Sequence, residues 1–245
     1  MDYDKYRMSP FDMIKYCLIY LAIILVVSYV FYDSPLAFLI FLPAVFLFIR
    51  FVKKELIRKR KDELKIQFRD MIDSIASALK AGYSVENSFY EARKDMIRLH
   101  GNGSLIVDEL DYFFLKLENG VPLEAILSDF AGRSRVEDIS DFSEIFVLAK
   151  RNGGDFTGII GKTVRIMKEK DETEREIGVI LSGRKYEQRI MCVIPIGIII
   201  YLRISSRDFL SVLYHNVFGI AVMTVCLGIY LASYLISRKL IDIKV

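Results

Sequence analysis

Gln67 to Ala92 reads QFRDMIDSIASALKAGYSVENSFYEA, and the reading of the whole chain turns on it. Phe68, Met71, Ile72, Ile75 and Leu79 recur at the spacing of a helix with one buried face. Ala81-Gly82 stops that helix, because glycine reaches the left-handed conformation of a helix C-cap without steric cost. Ser84 is placed to cap a second helix, with Val85, Phe89, Ala92, Met96 and Leu99 on one side. The stretch predicts a helical hairpin, the founding pair of an all-α domain.

The pattern continues downstream. Ile106, Leu110, Phe113, Phe114 and Leu117 form a third apolar stripe that ends at Asn119-Gly120. Pro122 suits the first turn of a fourth helix, where a missing N–H costs nothing; its stripe is Leu123, Ile126, Leu127 and Phe130. Ser134 to Glu137 matches a capping box for a fifth helix, carrying Ile139, Phe142, Ile145, Phe146 and Ala149 inward. Asn152-Gly153-Gly154 closes it, and Asp155 can cap a sixth with Phe156, Ile159, Ile160, Val164 and Met167. The expected body is an antiparallel six-helix bundle over residues 64–181, long enough to bury its own core.

Four apolar runs enclose that body. A leader, 1–12, precedes Met13–Tyr32; Asp33-Ser34 separates it from Pro35–Val52. A basic stretch, 53–63, leads into the body. Ile190–Leu202, extending to 204, and Val217–Ile236 form a second pair within 182–236, and a tail, 237–245, follows. Each run is read as a membrane span, so the chain is expected to be an integral membrane protein with two transmembrane hairpins. The third run is short for a bilayer, with Arg189 and Arg203 at its ends to snorkel and Pro195 within it to kink it. Lys and Arg cluster at 50–61, 184–189 and 238–244, against Arg203 and Arg207 on the other side. By the positive-inside rule the body and both termini are expected in the cytoplasm of a plasma (inner) membrane protein.

Composition agrees with two environments: 53% of residues are hydrophobic, yet 27% are charged, and the mean hydropathy is +0.32. Cys17, Cys192 and Cys226 all lie inside apolar runs, and His100 and His215 are isolated, so no zinc spacing or triad emerges. Gly158 to Thr163 ends like a phosphate-binding loop, but Phe156 stands where that loop requires glycine and the context is helical. Gly154, Gly158 and Gly161 are read instead as room for a neighbouring helix, as are Gly197, Gly219 and Gly228 in the apolar runs. No catalytic residue, cofactor site or metal site is expected. Residues 64–181 carry 16 Lys and Arg against 21 Asp and Glu, a balance that disfavours nucleic acid and suits membrane lipids at the basic edges. Lys168 to Glu176 (KEKDETERE) is the densest charge run, read as a protruding contact surface or a solvated helix face. The apolar runs contain no Asp, Glu, Lys, Arg or His in their interiors, which weighs against the alternative of a small-solute transporter or channel subunit.

ALKAGYS (78–84), GVPLEAILSDFAGR (120–133) and AKRNGGDF (149–156) together resemble the type II secretion F-domain, and the hairpin–domain–hairpin layout is similar to the B- and C-type platform proteins of tight-adherence (Tad) pili. Gly82, Ser84, Gly120, Pro122, Arg133, Gly153 and Gly154 carry that resemblance, with Pro195 marking the third run. Ser88 departs from it, where alanine is common, and a single domain replaces the two of larger secretion platforms; the closing IDIKV tail leans towards the B type. The resemblance implies a non-enzymatic inner-membrane platform. Its implied partners are a hexameric cytoplasmic secretion ATPase, pilin-like subunits, and a paralogue or second copy. Lys168, Glu169, Lys170, Asp171, Glu172, Glu174 and Glu176 are the expected ATPase-contact surface.

Overall fold

The computed structural model describes residues 3, 8, 10–33, 35–152, 155–205, 214 and 216–241. Every element among them is helical. In chain order these are α1 (Pro10–Val27) with a π-helical turn at Ser28–Tyr32, α2 (Pro35–Phe41) with a 3-10 turn at Leu42–Ala44, and α3 (Val45–Lys80). There follow α4 (Val85–His100), α5 (Leu105–Glu118), α6 (Leu123–Ser134), α7 (Glu137–Asn152), α8 (Phe156–Ser205) and α9 (Val217–Ile241).

The chain divides into two compact units. One holds Lys53–Glu172 together with Tyr3; the other holds the described residues of Met8–Val52 and Thr173–Val245. Two helices, α3 and α8, run through the unit boundaries without interruption.

The first unit closes around an aromatic core. The Phe68 ring meets Phe130 at 6.1 Å and Phe142 at 5.6 Å, both edge-on. Phe89 stacks on Phe113 at 4.8 Å and meets Phe146 edge-on at 6.3 Å; Phe146 in turn meets Phe156 at 5.2 Å. These contacts draw on α3 to α8, and each buried phenylalanine contributes on the order of 2–3 kcal/mol of apolar burial. The hairpin of residues 67–92 forms as its sequence predicts. Gly82, at φ +91°, lets its N–H reach Leu79 and the Tyr83 N–H reach Ala78, a Schellman closure. Gly120 at φ +79° repeats the same pair of bonds, to Leu117 and Lys116. Ser84 accepts the Asn87 N–H at 3.3 Å, and Asp155 accepts that of Gly158 at 2.8 Å.

Several local expectations are corrected. Ser134 does not cap α7: it ends α6, its hydroxyl donating to Ala131, while Arg135 takes the left-handed turn at φ +50°. The Val136 carbonyl then accepts the first bonds of α7. Pro122 stands one residue before α6, as its N-cap. Leu99 is exposed, and Ile97 packs against the core in its place. An added Cβ at Gly158 would strike the capping Asp155 carboxylate rather than a neighbouring helix. At Gly197 and Gly228 it would meet nothing within 4 Å, so neither glycine marks a close helix contact. Gly153 and Gly154 lie outside the described residues.

Among the described residues, three helices are long and apolar enough to cross a membrane: Pro10–Tyr32, Phe156–Ser205, which starts in the first unit, and Phe218–Ser237. The run 35–52 differs from the single span expected of it. Pro43 sits in the 3-10 turn and separates α2 from α3, because its ring and missing N–H break the helical ladder there. Pro195, by contrast, lies inside α8 without ending it. Apolar side chains of the second unit mostly face outward; Val30, Phe31, Tyr214, Met223 and Leu227 form a small enclosed cluster, and Ile24 is buried as well. A helical protein with such segments has the build of a membrane protein.

Candidate functional site

The charge run Lys168–Glu176 lies on α8 directly after its last core residue, Met167, and the structure splits it into two parts. Lys168, Lys170 and Asp171 turn back onto the first unit. Lys168 Nζ reaches Asp73 Oδ1 of α3 at 2.7 Å. Asp171 pairs with Arg69 of α3, which also donates from Nε to Asp138 Oδ2 of α7 at 2.7 Å. Lys170 Nζ approaches the other oxygen of Asp138 at 3.4 Å. Asp138 is only 2% exposed, so its carboxylate sits between two cations in a place water barely reaches. Such pairing is costly to break from one side, since the remaining charge keeps its desolvation without its partner. The network ties the start of α8 to both α3 and α7.

Glu172 and Glu176 are exposed, as are Thr173 and Arg175, while Glu169 lies beside Arg165 at 3.8 Å. Glu174 is half-buried. The expected contact surface therefore resolves into a latch, in which Lys170 and Asp171 are half-buried and Lys168 is exposed, and an outward acidic edge at Glu169, Glu172 and Glu176. The sequence alone treated all of them as one face.

A second charge cluster forms around Arg133, one of the residues singled out by resemblance. Its guanidinium grips both oxygens of Glu109 on α5, at 2.9 and 2.8 Å, and donates from Nε to Asp129 at 3.1 Å. The Tyr112 ring lies 5.0 Å from it. Lys116 reaches the same Asp129 oxygen at 3.0 Å. Burial alone would raise the Asp129 carboxyl, but hydrogen bonds from Lys116 and Arg133 outweigh it and hold it below the usual carboxylate range. Arg133 thus joins α5 to α6.

Glu109 and Asp138 were missed as buried carboxylates. Both carried a signal: Glu109 stands three residues after Ile106 and four before Phe113, and Asp138 four before Phe142, so each lies on its helix's apolar stripe. Gln67 was likewise not read as functional. Its side-chain oxygen accepts the Ile106 N–H at 3.0 Å, capping α5 from α3.

The Gly158–Thr163 stretch lies within α8, and the Thr163 hydroxyl is spent on the Ile159 carbonyl. Among the described residues, no group of three or more His, Cys, Asp or Glu is arranged to hold a metal ion. His100 makes a 2.8 Å contact with Asp70 between α4 and α3.

The second unit has a polar clasp near the end of α8. Arg203, near the end of α8, pairs with Asp33 and with the Tyr29 carbonyl, and its guanidinium lies 3.6 Å from the centre of the Tyr29 ring. The Tyr214 hydroxyl donates to the Val30 carbonyl at 2.8 Å. Arg203 is thus a partner of the π-helical turn after α1 rather than only a snorkelling cation.

Comparison with protein-family models, curated proteins and solved structures finds no match to the chain.

Proposed function

We propose that the chain is a non-enzymatic platform of a Tad or related type IV pilus-like assembly machine, coupling a cytoplasmic secretion ATPase to pilin extraction and filament assembly. In this reading the Lys53–Glu172 unit is a cytoplasmic F-type six-helix bundle. All four apolar runs then cross the plasma membrane, the broken run 35–52 included, as two hairpins. The resemblance of residues 78–84, 120–133 and 149–156 supports the family, and the clustering of Lys and Arg at 50–61 and 184–189 supports the orientation.

One observation carries the coupling. Helix α8 is unbroken from Phe156 to Ser205: it begins in the aromatic core, is latched through Lys168, Lys170 and Asp171, and continues into a segment apolar enough to span a bilayer. A load applied to the body is passed to that segment without an intervening loop. The exposed acidic edge at Glu172 and Glu176 is then the part of α8 that meets the motor, because rim charges govern association rate and specificity more than fold.

Reversing Glu172 and Glu176 to Lys leaves membrane insertion and protein level unchanged, since exposed substitutions of this kind move stability by no more than about 0.5 kcal/mol. Pull-down of the cognate hexameric ATPase weakens in a salt-sensitive way, and surface filaments decline. A stable double variant with full filaments and unchanged ATPase capture would reject the contact. Cysteine substitution at Asn102 tests the orientation: it should react with an impermeant thiol reagent only after cell lysis.

A further inference from the structure

We propose that Glu109, Arg133 and Arg60 form a socket for a tyrosine side chain, filled by Tyr3 of the same chain, so that Tyr3 is a docked anchor on the helical body. Tyr3 is fully buried, among the core residues of the first unit. Its hydroxyl donates to Glu109 Oε1 at 2.9 Å. Glu109 is itself 5% exposed and held at both oxygens by Arg133, so the acceptor is oriented before the phenol arrives. The Arg60 guanidinium lies 5.1 Å from the centre of the Tyr3 ring, a cation facing the electron-rich system. The Tyr3 backbone N–H donates to the Arg133 carbonyl at 3.4 Å.

Each part of the socket asks for a different part of the ligand. Arg60 takes an aromatic face, Glu109 takes a neutral hydroxyl donor, and the Arg133 carbonyl takes the main chain. Phenylalanine supplies two of the three. A phosphotyrosine brings a dianion against the buried Glu109 carboxylate and is rejected by like charge. Burial, reinforced by the Glu109 charge, holds the Tyr3 phenol well above its ordinary value, so the donor proton stays in place across physiological pH. Six residues, 4 to 9, lead from Tyr3 to Pro10, the first residue of α1. The proposal stands independently of the platform reading.

The test uses the full-length chain in lipid nanodiscs, with Cys17, Cys192 and Cys226 replaced by Ser and a nitroxide at Asp2→Cys. The label is expected to be strongly immobilised in this parent and freely mobile in Tyr3→Ala, with unchanged helix content. Tyr3→Phe keeps the ring without the hydroxyl and shows a mixture of both states. A synthetic peptide of residues 1–9 added to the Tyr3→Ala protein binds at least tenfold more tightly than its phenylalanine or phosphotyrosine versions. A mobile label in the parent, or one whose mobility is the same in the folded Tyr3→Ala protein, overturns the proposal. So does immobilisation that vanishes at one copy per nanodisc, which would assign the socket to the leader of a neighbouring copy.

Discussion

The two units spend the same residue type in opposite ways. In the first, Phe68, Phe89, Phe142 and Phe146 are at most 1% exposed and lock ring against ring; in the second, Phe11, Phe46 and Phe218 are 84%, 66% and 77% exposed. The first unit is its own solvent for apolar groups. The second turns them outward, which is favourable only where the surroundings are as apolar as the side chains. Polar groups divide likewise: the first unit buries carboxylates against arginines within its core, whereas the second pairs Arg203 with Asp33 at the end of its helices. The first unit is thus closed by its own packing, whereas the outward apolar surface of the second suits a bilayer.

Core truncation breaks this contrast most directly. Phe142→Ala should cost the first unit about 3–5 kcal/mol, read from denaturant unfolding followed by circular dichroism. Phe218→Ala, in bilayers, should stay within about 0.5 kcal/mol. Equal losses at the two sites would show that Phe218 is covered by protein and not by lipid.

The ion pairs come next. Asp138→Ala leaves Arg69 and Lys170 facing a desolvated gap and should destabilise the first unit by about 3 kcal/mol. Asp33, 39% exposed, is partly screened, and Asp33→Ala should cost no more than about 1 kcal/mol in the melting of the second unit. A larger loss at Asp33 would make the Arg203 clasp the principal polar tie of the membrane segments.

Glycine substitution separates turn from helix interior. Gly82→Ala forces a side chain into φ +91° and should cost roughly 1–2 kcal/mol of thermal stability. Gly197→Ala adds a methyl group to open space inside α8 and should be neutral or stabilising by up to about 1 kcal/mol. A loss at Gly197 would reveal a close helix partner supplied by another chain.

Titration gives the smallest effect and concerns the first unit alone. The Asp129 carboxyl is lowered on folding, so its contribution is present above the ordinary carboxylate range and lost as pH falls through the depressed value. Asp141 is raised, first by burial and then by Glu137, so its burden at neutral pH is relieved as pH falls through the raised value. Asp129→Asn should flatten the acid-side fall in melting temperature, and Asp141→Asn should raise stability slightly at pH 7 and steepen that fall. Opposite slopes in the two variants are the readout; identical slopes would contradict the assigned environments.

The helical hairpin at 67–92, the stripes of α5 to α7 and the apolar runs were legible because each rests on a local rule: a 3.6-residue period, a left-handed glycine, a capping hydroxyl, or length against a bilayer. The candidate site was legible only in part. Lys168–Glu176 was visible as a charge run, but which members turn inward depends on Asp73, Asp138 and Arg69, up to about a hundred residues away. Ser134 shows the same limit in miniature, since its capping-box pattern was real and the left-handed Arg135 took the helix end instead.

The sequence by itself determined that the described chain is helical, where most helices start and stop, and that three of its four apolar runs belong to helices long and apolar enough for a membrane. These follow from neighbours in the chain. Only the tertiary structure decided that Pro43 separates two helices while Pro195 lies within one, that Glu109 and Asp138 are buried, and that Tyr3 belongs to the core of a unit beginning at Lys53. Whether a carboxylate or a phenol is sheltered is a matter of what packs over it, and such contacts between distant residues have no counterpart in local periodicity.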